Sequence, residues 1–301
     1  MNINAGWRLL FVMLVLSALL PAAQAQGVTQ PTLDRIRENG AIYVGHREGS
    51  IPFSYMVGDD VVGYSTEICD RVVAAVREKL GIPTLKVVRV PVTSFSRILM
   101  LMTGTVDIEC GSTTNTRIRQ QRMAFSVTTF VSGVKTLVRK DTGIDRIQDL
   151  AGKVVVTTSG TTTERLVRTV MAARKLPAPH LRTASKHGES FAMVPSRQAD
   201  AFVLDDAILA GLLANSPDAG KLKLLEENFG FEPYGIGMRR EDPEFKKLVD
   251  DTLVGMMKSG EMERLYHKWF MSPIPPNNIN LQMPMSEMLR EQLRNPNDTG
   301  I

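Results

Sequence analysis

The sequence predicts an α/β protein of two lobes, each a mainly parallel sheet flanked by helices, with two hinge strands between them. Three observations carry this prediction. Two series of strand and helix patterns follow one another, each in the β-α-β order that calls for a parallel sheet covered by helices. Two extended segments, 131–139 and 234–239, cross from one series to the other and back. The 301 residues also suffice for two domains of ordinary size, each with its own core.

The first series opens with a short helix over 31–39, for which Thr32 is a candidate cap and Gly40 a stop. A strand over 41–44 runs into Gly45-His46-Arg47-Glu48, and Gly58-Asp59-Asp60 marks a turn between two short extended pieces. Ser65 is a candidate cap for a helix whose apolar positions Ile68, Val72, Val76 and Leu80 follow the 3.6-residue period. A strand over 85–90, a helix over 96–102 and a strand over 106–109 complete the series. The second series holds a short helix over 144–150, then strands over 154–157, 181–184, 201–204 and 222–226. Helices at 164–174, at His187 and at 207–213 separate them. Pro243 to Lys258 and Glu261 to Phe270 are amphipathic helices. The stretch 295–300, rich in Asn, Asp and Gly, is expected to be disordered.

Hydrophobic content of 43% and charged content of 23% are those of a soluble globular protein. Of the formal charge of +4, Arg8 is the only contribution before residue 26, which leaves +3 on the remainder. That excess is too small and too scattered for a nucleic-acid surface, though it suits a small anion. Residues 1–25 combine a positive start at Arg8, an apolar run over 9–20 and Ala23-Gln24-Ala25 as a cleavage site, which identifies a secretory signal peptide. The run is too short to span a bilayer, and no later stretch approaches ~20 apolar residues. Cys69 and Cys110 therefore belong to an oxidising compartment. Because disulfide geometry is demanding, two separate buried thiols are the expected state.

The stretch from Glu109 to Arg122 is the most informative. An apolar run ends at Ile108, and small or hydroxyl-bearing residues Gly111, Ser112, Thr113 and Thr114 follow. Thr116 can cap a short helix that carries Arg119 in its first turn. Hydroxyls, free helix N–H groups and a guanidinium together suit a carboxylate. Taken alone the stretch is an ordinary strand-to-helix loop, but similar devices recur. Arg47 follows a strand at the carboxyl end of its sheet, where ligands of open α/β folds sit. Ser94 and Arg97 lie three residues apart around a helix start. Thr161 and Thr162 lie in a second hydroxyl-lined loop, and His187 opens a helix. Each has a plain structural reading as a surface cation or a capping group. Asp205 and Asp206 end a strand, where either can receive an ammonium or cap the next helix. No nucleophile with a positioned base accompanies them, and no phosphate loop, dinucleotide fingerprint or metal-ligand spacing is present. Catalysis, metal binding and cofactor use are thus disfavoured, whereas a receptor for a zwitterion with an extra negative charge fits.

From Leu33 to Pro276 the chain resembles the periplasmic solute-binding proteins of polar amino-acid ABC transporters, and within them the glutamate/aspartate-binding branch. The resemblance rests on Gly45-His46-Arg47-Glu48, Pro52-Phe53-Ser54-Tyr55, Val62-Gly63-Tyr64-Ser65 and Thr93-Ser94-Phe95-Ser96-Arg97-Ile98. Glu109 to Asn115, Thr158 to Thr162, Lys186 to Phe191, Leu204-Asp205-Asp206-Ala207 and Lys268-Trp269-Phe270 continue it. It implies a type II periplasmic-binding-protein fold, with lobe one at 26–133 and 235–278, lobe two at 134–234 and a tail at 279–301. It further implies a monomer that closes on L-glutamate or L-aspartate and delivers it to a membrane permease. The α-carboxylate would meet Arg119, Thr114, Thr161 and Thr162. The ammonium would meet Asp205 and the Ser112 loop. The side-chain carboxylate would meet Arg47, Ser94, Arg97 and His187. Phe95 and Ser96 depart from the polar residues this branch leads one to expect, and Cys69 lies outside its pattern. The same fold also hosts dehydratases, in which Asp205 or His187 would act as acid or base, and sensory receptors.

Overall fold

The computed structural model describes residues 30–301; the predicted signal peptide lies outside the described residues. Two main sheets form, as the two series predict, with two small antiparallel ones beside them at 49–62 and 273–280. In the first, strand Ala41–His46 pairs in parallel with Lys86–Pro91 on one side and Ile108–Glu109 on the other. Gly237–Met238, which follows the whole second series, then inserts antiparallel between Ile108–Glu109 and Ala124–Phe125. In the second, Val154–Thr158 pairs in parallel with His180–Ala184 and Ala201–Asp205. The long strand Phe130–Arg139 closes that sheet antiparallel to Ala201–Asp205 and Leu222–Leu224. Each main sheet thus has a parallel centre and gains antiparallel strands where the chain enters or returns.

The chain crosses between the sheets on two strands that pair with each other, and the return crossing lies at 231–234 rather than 234–239, because Gly237–Met238 is already part of the first sheet. Phe130 to Gly133 lies antiparallel to Phe231–Tyr234, with Ser132 opposite Glu232. Their first-lobe ends are fixed by aromatic packing. Phe130 stacks on Phe270 at 5.0 Å and meets Phe53 edge-on at 4.8 Å, while Tyr234 packs on Phe53 at 5.2 Å. Tyr64 Oη also donates to Thr129 O at 2.9 Å. Aromatic side chains bury the largest areas available to a core, so this cluster anchors both crossings firmly on one side.

Several element boundaries differ from the sequence reading for identifiable reasons. The helix Tyr64–Leu80 starts before Ser65, because Gly63 at φ 133 turns the chain where a Cβ would strike Phe53 O. The helix Thr32–Asn39 is not capped by Thr32. Asp242, far along the chain, accepts from Thr32 N at 2.6 Å and from Phe245 N at 3.1 Å, so one carboxylate caps two helices. Residues 144–150 form only a 3₁₀ turn over Ile147–Leu150.

Two further expectations are corrected. Cys69 and Cys110 are not separate thiols but a disulfide, with sulfurs 2.01 Å apart and Cα atoms 6.2 Å apart. The helix Tyr64–Leu80 places Cys69 on its buried face, directly beside the end of strand Ile108–Glu109. The end of the tail is ordered: beyond helix Glu287–Arg294, Thr128 N donates to Asn297 O, Asn115 Nδ2 to Asp298 O, and Arg117 N to Ile301 O, all at 2.9 Å. Donors of the first lobe thus hold a segment whose composition alone would not order it. Among the described residues no helix is long and apolar enough to cross a membrane.

Candidate ligand-binding site

The two lobes meet along a cleft. Lys186 Nζ reaches Glu48 Oε2 at 2.9 Å, and Asn277 Nδ2 donates to Asn215 Oδ1 at 2.8 Å across it. Gly160 of the second lobe lies so close to Ser94 and Phe95 of the first that a Cβ there would stand 2.6 Å from Phe95 Cα. Within the cleft is a tight cavity of about 10 Å³, lined by Ser94, Arg97, Ser112, Thr114, Thr161, Thr162, His187 and Asp205. Eight of the ten residues singled out in the sequence therefore converge on one cavity. The other two, Arg47 and Arg119, flank it and bridge the lobes.

The local chain explains each placement. Thr116 caps the turn Arg117–Gln120 as expected, accepting from Arg119 N at 3.1 Å. Arg119 Nη1 donates to Thr114 O at 2.9 Å and its Nη2 to Gly160 O of the other lobe at 3.1 Å. Arg97 Nη1 donates to Thr113 Oγ1 at 2.6 Å, and that hydroxyl donates in turn to Glu109 Oε2 at 2.6 Å. Arg47 turns in because Gly111 has no Cβ; one placed there would collide with Glu109 Oε1 and the Arg47 side chain. Thr161 Oγ1 donates to Thr158 O at 2.6 Å, whereas the Thr162 side chain makes no cap bond at the start of helix Thr163–Ala173.

His187 lies 3.4 Å from Arg47 through Nε2 and 3.0 Å from Thr158 Oγ1 through Nδ1. A guanidinium can only donate, so Nε2 accepts and Nδ1 carries the proton of a neutral ring. Burial, and after it the Arg47 and Arg97 charges, keep the imidazole well below its usual range. Burial and Arg97 also hold Arg47 down to about 9 and Arg119 down to about 10. Three buried guanidinium groups crowd the cavity. Among the described residues Asp205 is the one acidic side chain that lines it. Its side chain does not cap helix Asp206–Ala214, and Oδ1 is left without a donor, which favours the ammonium reading over the capping one.

Sequence reasoning missed three polar groups here. Glu109 and Thr113 relay Arg97 into place, and Glu232 accepts from Thr114 Oγ1 at 2.5 Å. The usable signal was a carboxylate between the aromatic residues of Phe231-Glu232-Pro233-Tyr234 in a crossing segment. Thr158 and Ser190 continue the His187 network at 3.0 Å but do not line the cavity, so no hydroxyl nucleophile is set against that histidine there.

Two sheets joined by paired strands, with a polar cavity enclosed between them, define a two-lobed solute-binding protein. The chain belongs to the bacterial extracellular solute-binding proteins, family 3, whose model matches residues 42–272. It is 42% identical to the glutamate/aspartate import solute-binding protein of Salmonella typhimurium, over 97% of both chains. It is 43% identical to the L-glutamate/L-aspartate-binding protein of Pseudomonas aeruginosa, over 94% of both. Among solved structures it resembles an ancestral amino acid-binding protein described as a precursor of cyclohexadienyl dehydratase. There the TM-score is 0.67 and the identity 29%, over 80% of this chain and 99% of that one. Both of these 42–43% identical relatives are thus named as binding proteins, the first of them in import.

Proposed function

We propose that this chain captures L-glutamate and L-aspartate in the interlobe cavity and hands them to the permease of an ABC transporter. The protein would act as a periplasmic monomer without turnover. The observation that carries the reading is a set of buried guanidinium groups without ion-pair partners: Arg97 lines the cavity, Arg47 and Arg119 flank it, and among the described residues no carboxylate stands within 4.0 Å of any of the three, Glu109 and Glu232 being held instead by Thr113 and Thr114. Buried charge without a partner is costly, so two ligand carboxylates would relieve the crowding that lowers Arg47 and Arg119. In this reading Arg119, Thr114, Thr161 and Thr162 hold the α-carboxylate, Asp205 and Ser112 the ammonium, and Arg47, Ser94, Arg97 and His187 the side-chain carboxylate. Residues 26–133 with 235–278 would move as one body and 134–234 as the other, about the paired crossing strands. Ligand bridging both bodies stabilises the closed form by its differential affinity.

The names of the 42–43% identical relatives support the same ligands and an import partner. A second reading, an enzyme acting on an acidic substrate, draws on the dehydratase lineage of the solved structure above. Calorimetric titration of ligand-free protein with glutamate, aspartate, glutamine and arginine tests the proposal. Tight binding of the two acids with much weaker binding of glutamine is expected, and preference for glutamine or arginine refutes it. Consumption of glutamate or aspartate on prolonged incubation would instead favour the enzyme.

A further inference from the structure

The part of the cavity assigned to the ammonium has one more carboxyl group than a single ammonium needs. Asp205 lines the cavity at 5% exposure, with Oδ1 unpartnered. Glu232, 1% exposed on the crossing strand Phe231–Tyr234, stands opposite Ser132 of the long strand Phe130–Arg139, and Asp205 stands opposite Val134 of the same strand, so the register sets both carboxyl groups on one face of it. The hydroxyl of Thr114, itself a cavity residue, donates to Glu232 Oε2 at 2.5 Å. Among the described residues neither carboxyl group forms an ion pair within 4.0 Å. Two buried carboxyl groups on one face, with hydroxyl donors but no cation paired to either, are the arrangement in which one proton is shared.

We propose that Asp205 and Glu232 share one proton and that the ammonium of the ligand displaces it, which makes Glu232 a positioning and specificity residue of the site. The inference rests on the ammonium contacts assigned above. In the free protein, the shared proton bridges the two carboxyl groups and Thr114 holds Glu232 in place. When the ammonium arrives, its own N–H donors take over the bridge and the proton leaves to solvent. Binding of an amino acid therefore releases a proton, and affinity falls as acid returns it.

Other groups face the pair. Asp206 and Tyr234 lie beside Asp205, and burial together with the Glu232 charge raises the Asp205 carboxyl well above its usual range. Arg119 feels both carboxyl groups, and Arg47 feels Asp205. Arg97 and Glu109 complete the charged surroundings. His187 acts in the opposite sense. A ligand carboxylate beside it favours its charged form and so draws a proton in. That uptake is common to the protein with and without Glu232, so the difference between the two isolates the pair.

The test is glutamate calorimetry near neutral pH in phosphate and in Tris, buffers of very different ionisation enthalpy, with wild-type protein and with Glu232→Gln. Glutamine at 232 can accept from Thr114 and donate to Asp205 permanently, and so mimics the protonated pair. Wild-type protein should release about one proton more than the variant on binding. Its affinity should weaken relative to that of the variant by up to about tenfold per pH unit as the pair becomes protonated. Equal release by the two proteins overturns the proposal. If that variant does not fold, Glu232→Ala takes its place in the same comparison, and equal release by it and the wild-type protein overturns the proposal. Equal release by the two proteins with glutamate bound overturns this inference only; absence of glutamate binding overturns the ligand assignment with it.

Discussion

Gly160→Ala separates closure of the lobes from the stability of either one. Gly160 sits at φ +78, a backbone region that L side chains rarely adopt, so alanine costs about 1–2 kcal/mol wherever the lobes stand. The same methyl would lie 2.6 Å from Phe95 N and Cα and 2.7 Å from Ser94 C, against the 3.4 Å at which ordinary contact begins. These are backbone atoms, so no side chain can swing aside. The lobes would have to part by roughly 0.8 Å, which also stretches the Arg119 bond to Gly160 O. Overpacking of this kind costs about 1–3 kcal/mol, and here it is felt only in the closed form. Glutamate affinity should therefore fall ~5- to 150-fold through faster dissociation, with thermal stability of the ligand-free protein lowered by the backbone cost alone. Stopped-flow kinetics and a thermal melt without ligand measure the two parts. A destabilised variant that binds glutamate as tightly as wild type would refute the view that this contact belongs to the ligand-bound form.

Arg97→Ala should weaken glutamate and aspartate by ~2–5 kcal/mol in titration, as loss of one partner of a buried charge pair does. Arg119→Ala should remove binding of every amino acid, acidic or not, since it takes away the clamp on the α-carboxylate. Replacing both Cys69 and Cys110 by serine opens a loop with a sequence separation of 41 and should lower unfolding free energy by about 4 kcal/mol in a denaturant melt. Deleting residues 296–301 removes backbone acceptors from Thr128, Asn115 and Arg117. At about 0.5–1.5 kcal/mol per bond, the loss should appear as a lower melting temperature with weaker glutamate binding, because Asn115 lies between Thr114 and Arg119.

Elements with strong periodic burial were legible from sequence. The helices Pro243–Lys258 and Glu261–Phe270 begin and end where their apolar spacing and flanking residues put them. Site residues were legible because cations and hydroxyls recur at strand ends and helix starts, and eight of those chosen line one cavity. What escaped notice depends on contacts distant in the chain. Asp242 caps a helix 210 positions away, and no local pattern announces that. Cys69 and Cys110 pair because a helix face and a strand end happen to abut. Glu232 looks like an outward-facing strand residue until the crossing strands are laid against Thr114. The 295–300 segment is polar and lacks apolar anchors, yet the donors that order it belong to another part of the fold.

The position of Gly237–Met238 has a consequence for how the molecule is built in time. This two-residue strand lies inside the first sheet, between Ile108–Glu109 and Ala124–Phe125, yet it follows every strand of the second sheet. As the chain emerges from its N-terminus, the earlier strands have no partner for that gap until the entire second lobe has appeared. The second lobe, a continuous stretch, can complete its sheet first and then bring the missing strand back. Order of synthesis and order of assembly are thereby reversed: the lobe that begins first finishes last, and its closure waits on sequence-distant pairing that is inherently slow.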